Sequence, residues 1–202
     1  MTEFTILTVC TGNICRSPLA EQLLRAGMAH WSEVSVASAG SGALVGKPMT
    51  DQAQALSSRF GATDAAAHIA RALTVEHVRA ADLILALSRE HRRAIVELLP
   101  RASRKTFTLR ELARLIADVP AEELEHAARL DSSDVAGRFA ELVDVAASRR
   151  GLVAPPESPD DDDVIDPYRQ PDGVYEASAQ QLVPAVQTVL AQFARVAAVT
   201  LP

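Results

Sequence analysis

Between an apolar run at residues 4–9 and a helical pattern from residue 19 onward lies the stretch Val9-Cys10-Thr11-Gly12-Asn13-Ile14-Cys15-Arg16-Ser17-Pro18, which restricts the fold more than any other part of the chain. The run before it is rich in β-branched residues and reads as a buried strand. After it, Leu19, Leu23, Leu24 and Met28 recur at helical spacing, predicting a helix over residues 19–31. Ser17 suits the N-cap of that helix, and Pro18 its first position, where a missing N–H loses no partner. The stretch is thus a strand-to-helix loop, and helix starts attract anions. Cys10 opens it and Arg16 closes it, with five residues between. The backbone N–H groups of residues 11–16 can curl around an oxyanion, while Arg16 offers a planar fork to two of its oxygens. The same positive field favours a thiolate at Cys10. These residues imply a phosphate cradle with a nucleophile at its floor.

Composition narrows the remaining possibilities. A chain of 202 residues fits one domain over residues 1–202. It is 48% apolar but only 4% aromatic, so Ala, Leu and Val must fill the core. A formal charge of −6 speaks against a nucleic-acid partner, and no apolar run is long enough to span a membrane. The first strand begins too near Met1 to leave room for a signal peptide, and two closely spaced cysteines suggest reactivity more than a disulfide framework. The expectation is a soluble cytoplasmic protein needing no cofactor and no metal.

Along the chain, further strands are expected at residues 34–39, 82–87 and 105–108. Between them, Thr50, Thr74 and Ser88 begin helices, and Thr108 with Glu111 forms a capping box. The alternation predicts an α/β fold: a four-stranded parallel sheet with helices on both faces and the Cys10 loop beyond the strands' carboxyl ends. Gly40, Gly42 and Gly46 read as a mobile loop needing positive φ. They miss the nucleotide-loop spacing by one residue, and Pro48 stands where a magnesium-binding Ser or Thr belongs. Residues 113–151 read as a helical insertion, and residues 152–163 as an extended, solvated acidic linker containing four aspartates. A last helix is expected over residues 180–198.

Cys-Thr-Gly-Asn-Ile-Cys-Arg-Ser-Pro, beginning at Cys10, resembles the signature of the low-molecular-weight protein tyrosine phosphatases and of their relatives, the thioredoxin-coupled arsenate reductases. The resemblance implies roles for individual positions. Thr11, Gly12, Asn13, Ile14, Cys15 and Arg16 would bind phosphate, with Asn13 supporting a strained loop backbone and Ser17 donating to the sulfur. His68 would brace Asn13, and Ser38, in the segment Ser38-Ala39-Gly40-Ser41, would support the site from a stretch that borders the active-site mouth in that family. Asp166, followed by Pro167 and Tyr168, matches the general-acid loop of that family. Tyr168 and Leu44 would line the cleft, Leu44 falling where relatives commonly carry an aromatic wall. Cys15 would be a reversible disulfide partner of Cys10. The implied reaction is hydrolysis of phosphate monoesters, above all phosphotyrosine in proteins, through a cysteinyl-phosphate. A neighbouring run of aspartates would raise the pKa of Asp166 by like-charge repulsion.

Three alternatives stand beside this one. Arsenate reduction is chemically close, but the thioredoxin-coupled relatives need two more cysteines and the chain has only Cys10 and Cys15, leaving a small-molecule thiol. Phosphoarginine phosphatases tend to carry Thr where this chain has Ile14, whose apolar side chain suits an aryl ring. A non-catalytic phosphopeptide-binding module is disfavoured by the joint presence of Cys10, Arg16 and Asp166.

Overall fold

A computed structural model describes residues 3–200. The elements follow as β1 (Phe4–Cys10), α1 (Arg16–Met28), β2 (Val34–Gly40), α2 (Asp51–Arg59), α3 (Val75–Ala80), β3 (Leu83–Ala86) and α4 (Arg89–Leu98). Then come β4 (Thr106–Thr108), α5 (Leu109–Ile116), α6 (Glu125–Arg129), α7 (Val135–Ser148) and α8 (Asp172–Ala197). The strands form one parallel sheet in the order β2-β1-β3-β4. Side-chain alternation along β1 explains why both faces are covered. Phe4, Ile6 and Cys10 enter a large core shared with α1, α5, α7 and α8, whereas Leu7 and Val9 enter a smaller one with Val78 of α3 and Ile95 of α4. β1 lies between its neighbours, with Cys10 paired to Gly40 and Val9 to Ala86, so the loop after Cys10 opens at the carboxyl edge of the sheet.

Local chemistry fixes most helix starts. Thr50, Thr74, Ser88 and Thr108 each accept a hydrogen bond from a backbone N–H in the first turn, and the Thr108–Glu111 capping box is complete. Two boundaries differ from the sequence expectation. α1 begins at Arg16 with Cys15 as its cap and ends at Met28, so Ser17 is not the cap and Pro18 sits at the third helical position. Proline is tolerated there because the first N–H groups of a helix lack partners anyway. α8 begins at Asp172, well before residue 180, behind Pro171 at its cap. This places Tyr175 and Ser178 on the buried face.

Residues 113–151 comprise the end of α5, a 3₁₀ turn at Ala121–Leu124, α6 and α7. Phe139 of α7 anchors this segment on the main core. Its ring lies 5.5 Å from Phe4, 4.5 Å from Phe193 of α8 and 5.1 Å from Trp31, each nearly perpendicular. Four of the eight aromatic residues, Phe4, Trp31, Phe139 and Phe193, therefore cluster at the start of β1, away from the Cys10 loop. Phe139→Ala should cost about 3–5 kcal/mol of stability, read as a lowered urea midpoint with Trp31 fluorescence as the probe, while the Cys10 loop of the folded fraction stays intact.

Candidate active site

The chain leaves β1 at Cys10, turns through Asn13 in the left-handed region at φ 55°, and enters α1 at Arg16. Asparagine is among the few non-glycine residues that accept this conformation. Its side chain holds the turn from within. Nδ2 donates to Ser17 Oγ at 3.0 Å and to Ser38 Oγ at 2.8 Å, and Oδ1 accepts from the Arg71 N–H at 2.9 Å. His68 Nε2 lies 2.8 Å from the Asn13 carbonyl, which can only accept, so that nitrogen carries the proton. Ser38 passes its own proton to Glu21, whose carboxylate also lies 3.7 Å from His68 Nδ1. Ser17 Oγ accepts from Asn13, and its own proton has two acceptors in reach, Cys10 Sγ at 3.0 Å and the Ala39 carbonyl at 3.4 Å. The structure thus brings Asn13, Ser17, Ser38 and His68 together under the loop.

The neighbouring glycine loop is pinned to this turn, contrary to the expectation of a mobile segment. Ser41, Gly42 and Leu44 donate backbone hydrogen bonds to the carbonyls of Cys10, Thr11 and Gly12. Positive φ occurs at Gly46 but at neither Gly40 nor Gly42. Gly40 is glycine for another reason: a Cβ there would sit 2.4 Å from the Thr11 carbonyl oxygen.

A cavity of about 210 Å³ opens above the loop. Its floor and sides are Cys10, Thr11, Gly12, Ile14, Cys15 and Arg16, and Leu44, Asp166 and Tyr168 form the rim. Arg16 is 6% exposed; its Nη2 pairs with Asp166 Oδ2 at 2.7 Å and its Nη1 donates to the Val164 carbonyl at 3.0 Å. Its Nε is buried without a hydrogen-bond partner among the described residues. Asp166 is half exposed, and its Oδ1 accepts from the Tyr168 N–H.

The acidic segment before Asp166 is stapled down, not solvated as its composition suggests. Arg89 pairs with Asp160 and Asp163, Arg114 with Asp162, and Arg110 donates to the Asp163 carbonyl. Asp161 accepts from the Ser158 N–H within the 3₁₀ turn Pro159–Asp162. Beyond it, the Val164 N–H donates to the Leu87 carbonyl and the Ile165 N–H to Gln181. Arginines thus face three of the four aspartates, Asp160, Asp162 and Asp163.

Both cysteines are free and buried. Cys15 Sγ faces Thr50 Oγ1 at 3.5 Å and the Tyr175 hydroxyl at 3.6 Å. Burial pushes the Cys15 thiol above its ordinary range, and burial likewise pushes Tyr175 up to about 12.

One group at the site was not singled out from the sequence. His91 of α4 is 3% exposed, with Nδ1 2.8 Å from Ser88 Oγ and Nε2 2.8 Å from Thr11 Oγ1. Burial, reinforced by the Arg16 charge, lowers its pKa to about 4, so it is neutral at physiological pH. The sequence signal was Ser88-x-x-His91, read as a helix cap alone.

A family model described as "Low molecular weight phosphotyrosine protein phosphatase" matches residues 5–127. A low molecular weight protein-tyrosine-phosphatase, Ptp of Acinetobacter johnsonii, is 40% identical over 104 residues, covering 52% of this chain and 70% of that protein. Etp of Escherichia coli K12, named likewise, is 41% identical over 103 residues, covering 51% and 67%. Among solved structures, the Erwinia amylovora tyrosine phosphatase AmsI gives a TM-score of 0.61 at 25% identity, covering 93% of this chain and 91% of that one. The YwlE arginine phosphatase of Geobacillus stearothermophilus gives 0.65 at 27% identity, covering 95% and 94%.

Two titrations test the electrostatics. At pH 7, iodoacetamide should leave Cys15 unmodified by peptide mass analysis, with labelling rising only above the pH range of an ordinary thiol; labelling at the rate of a free thiol would contradict its burial. For His91, the folded pKa of about 4 lies below the ordinary 6.5. As pH falls through that window the unfolded chain binds a proton the native state does not, so stability is lost. Urea midpoints should therefore fall less steeply between pH 6.5 and 4 in His91→Gln than in wild type.

Proposed function

The chain belongs to the low molecular weight phosphotyrosine protein phosphatase family, and on that premise we propose that it hydrolyses phosphotyrosine in proteins through a cysteinyl-phosphate on Cys10. The observation that carries this reading is the convergence of Cys10 Sγ, the Arg16 guanidinium and the Asp166 carboxylate on one cavity of about 210 Å³. In the free enzyme Asp166 occupies Arg16. An entering phosphate dianion takes over that guanidinium, including the unpartnered Nε, and releases Asp166 to bind a proton.

The Cys10 thiolate then attacks phosphorus in line. The S–P bond forms as the ester P–O bond breaks, and Asp166 protonates the departing phenolate oxygen. Arg16 and the N–H groups of the loop hold the three equatorial oxygens. In the second step water attacks phosphorus, giving its proton to Asp166 as the P–S bond breaks. Ser17, 3.0 Å from Cys10 Sγ, donates to the leaving thiolate. Ile14, Leu44 and Tyr168 provide apolar cavity walls for an aryl ring. The structural likeness to an arginine phosphatase makes phosphoarginine the second substrate to test. Cys15 is the partner for a protective disulfide: peroxide oxidises Cys10 to the sulfenic acid, and the Cys15 thiol displaces water from it.

Among the described residues no helix is long and apolar enough to cross a membrane. Two free cysteines accord with a reducing, cytoplasmic setting. The α6–α7 segment fits an insertion within a single domain, since Phe139 shares the core of β1 and α8.

With p-nitrophenyl phosphate as substrate and no added metal, Cys10→Ser should abolish turnover. Asp166→Asn should lower kcat by about 100-fold on phenyl phosphate, and by much less on p-nitrophenyl phosphate, whose leaving group needs no proton. A phosphotyrosine peptide should be turned over faster than a phosphoarginine peptide; the reverse order would move the assignment to arginine dephosphorylation. No hydrolysis by the reduced wild type would overturn the reading.

A further inference from the structure

We infer that His91 is a positioning residue of the phosphate loop, orienting the Thr11 hydroxyl so that its proton is offered to the oxygen of a bound phosphoryl group. This rests on the phosphatase reading of the Cys10 cavity and extends it to a side chain of the loop, beyond the backbone N–H groups and Arg16.

The direction of hydrogen bonding follows from counting donors. Ser88 caps α4 by accepting from the His91 N–H at 3.3 Å, so its own hydroxyl proton must go elsewhere. The acceptor at hand is His91 Nδ1, 2.8 Å away. A neutral imidazole accepting at Nδ1 carries its proton at Nε2. That N–H then donates to Thr11 Oγ1 at 2.8 Å. In the reverse arrangement the Ser88 proton would be left without an acceptor among the described residues, at a site only 9% exposed. The pKa of about 4 keeps the imidazole neutral and this sequence intact throughout the range in which a phosphatase works.

With His91 donating to it, Thr11 has its hydroxyl proton free. The other hydroxyls around the loop give theirs to the protein. Thr8 donates to the Ser17 carbonyl, Ser38 to Glu21, and Ser17 has Cys10 Sγ within reach. Thr11 lines the cavity, with its methyl group turned toward Gly42. The uncommitted proton therefore belongs to an acceptor entering the cavity. His91 itself is buried behind Thr11, so it acts through that hydroxyl. The same corner of the fold also carries the acid loop, through the Leu87 carbonyl and the Arg89 N–H, which bind Val164 N–H and Asp163. One segment thus sets the loop hydroxyl and the general acid against each other.

The experiment is a double-mutant cycle on Thr11→Val and His91→Ala, with Thr11→Ser and His91→Gln as conservative variants. It reads kcat/KM on p-nitrophenyl phosphate and the inhibition constant of inorganic phosphate. Each of Thr11→Val and His91→Ala should weaken phosphate binding and kcat/KM by about ten-fold, the scale of one hydrogen bond to a charged group. The double variant should be no worse than the weaker single one. Thr11→Ser, which keeps the hydroxyl, and His91→Gln, whose amide N–H reaches the Nε2 position, should stay within about three-fold of wild type on that scale. Thr11→Val matching wild type, or losses that multiply in the double variant, would overturn the inference. Where His91→Ala fails to fold, the cycle is run with His91→Phe, which fills the site without the Nε2 donor, and the same outcomes decide it. A wild type that binds phosphate with this pattern but hydrolyses nothing would instead overturn the phosphatase reading alone.

Discussion

The candidate site depends on one asparagine held in a left-handed conformation by its own side chain. Without the turn at Asn13, Cys10 at the end of β1 and Arg16 at the start of α1 could not face the same cavity. A non-glycine residue at φ 55° carries backbone strain, which persists only where surrounding structure over-determines it. Here the determinants come from four separate places: Ser17 on α1, Ser38 on β2, the Arg71 backbone and the His68 ring. Asn13 is fully buried, so each of these bonds would be expensive to lose. The network continues through Ser17 to Cys10 Sγ and through Ser38 to Glu21. Backbone shape and the surroundings of Cys10 are thus set by the same hydrogen bonds.

What could be read from the sequence was whatever is encoded locally. The four strands, the parallel sheet and the strand–loop–helix junction follow from alternation, capping and the Cys10–Arg16 spacing, all within a few residues of one another. Ser17 illustrates where that stops. A serine before a proline and an apolar helical pattern looks like a cap, but a chain that turns tightly at Asn13 reaches helical geometry already at Arg16. Ser17 is then free to face Cys10. Ser88 looked the same and is a cap, yet its hydroxyl proton serves His91 and, beyond it, Thr11. The pairing of Asp160 and Asp163 with Arg89 joins residues more than seventy positions apart, and no local period announces it. Gly40 was read for its conformational freedom, whereas its constraint is the close approach of the Thr11 carbonyl.

The two loops that meet at the cavity are secured by different physics. The phosphate loop rests on buried hydrogen bonds, shielded from solvent and from salt. The Asp166 loop is tied by arginine–aspartate pairs of mixed exposure, with Asp160 85% and Asp162 16% accessible, and by buried Val164, which bonds Leu87 and Arg16. Exposed pairs contribute about 0–1 kcal/mol each and are screened by ions. Asp166 itself is half exposed, whereas Asn13 and Ser17 of the Cys10 loop are fully buried.

That division suits the proposed chemistry. The cradle must present the same donors to the ester, to the cysteinyl-phosphate and to both transition states, so rigidity there is useful throughout. Asp166 must leave Arg16, gain a proton, give it to the leaving group and take another from water, which requires a less tightly held segment. The Arg16–Asp166 pair connects the two regimes. A phosphate dianion carries more charge than one carboxylate and also fits the planar fork of arginine. It can displace Asp166, and the carboxylate it displaces is the group that must next be protonated. On the proposed mechanism, binding of the substrate thereby prepares the acid through the one guanidinium that both anions need.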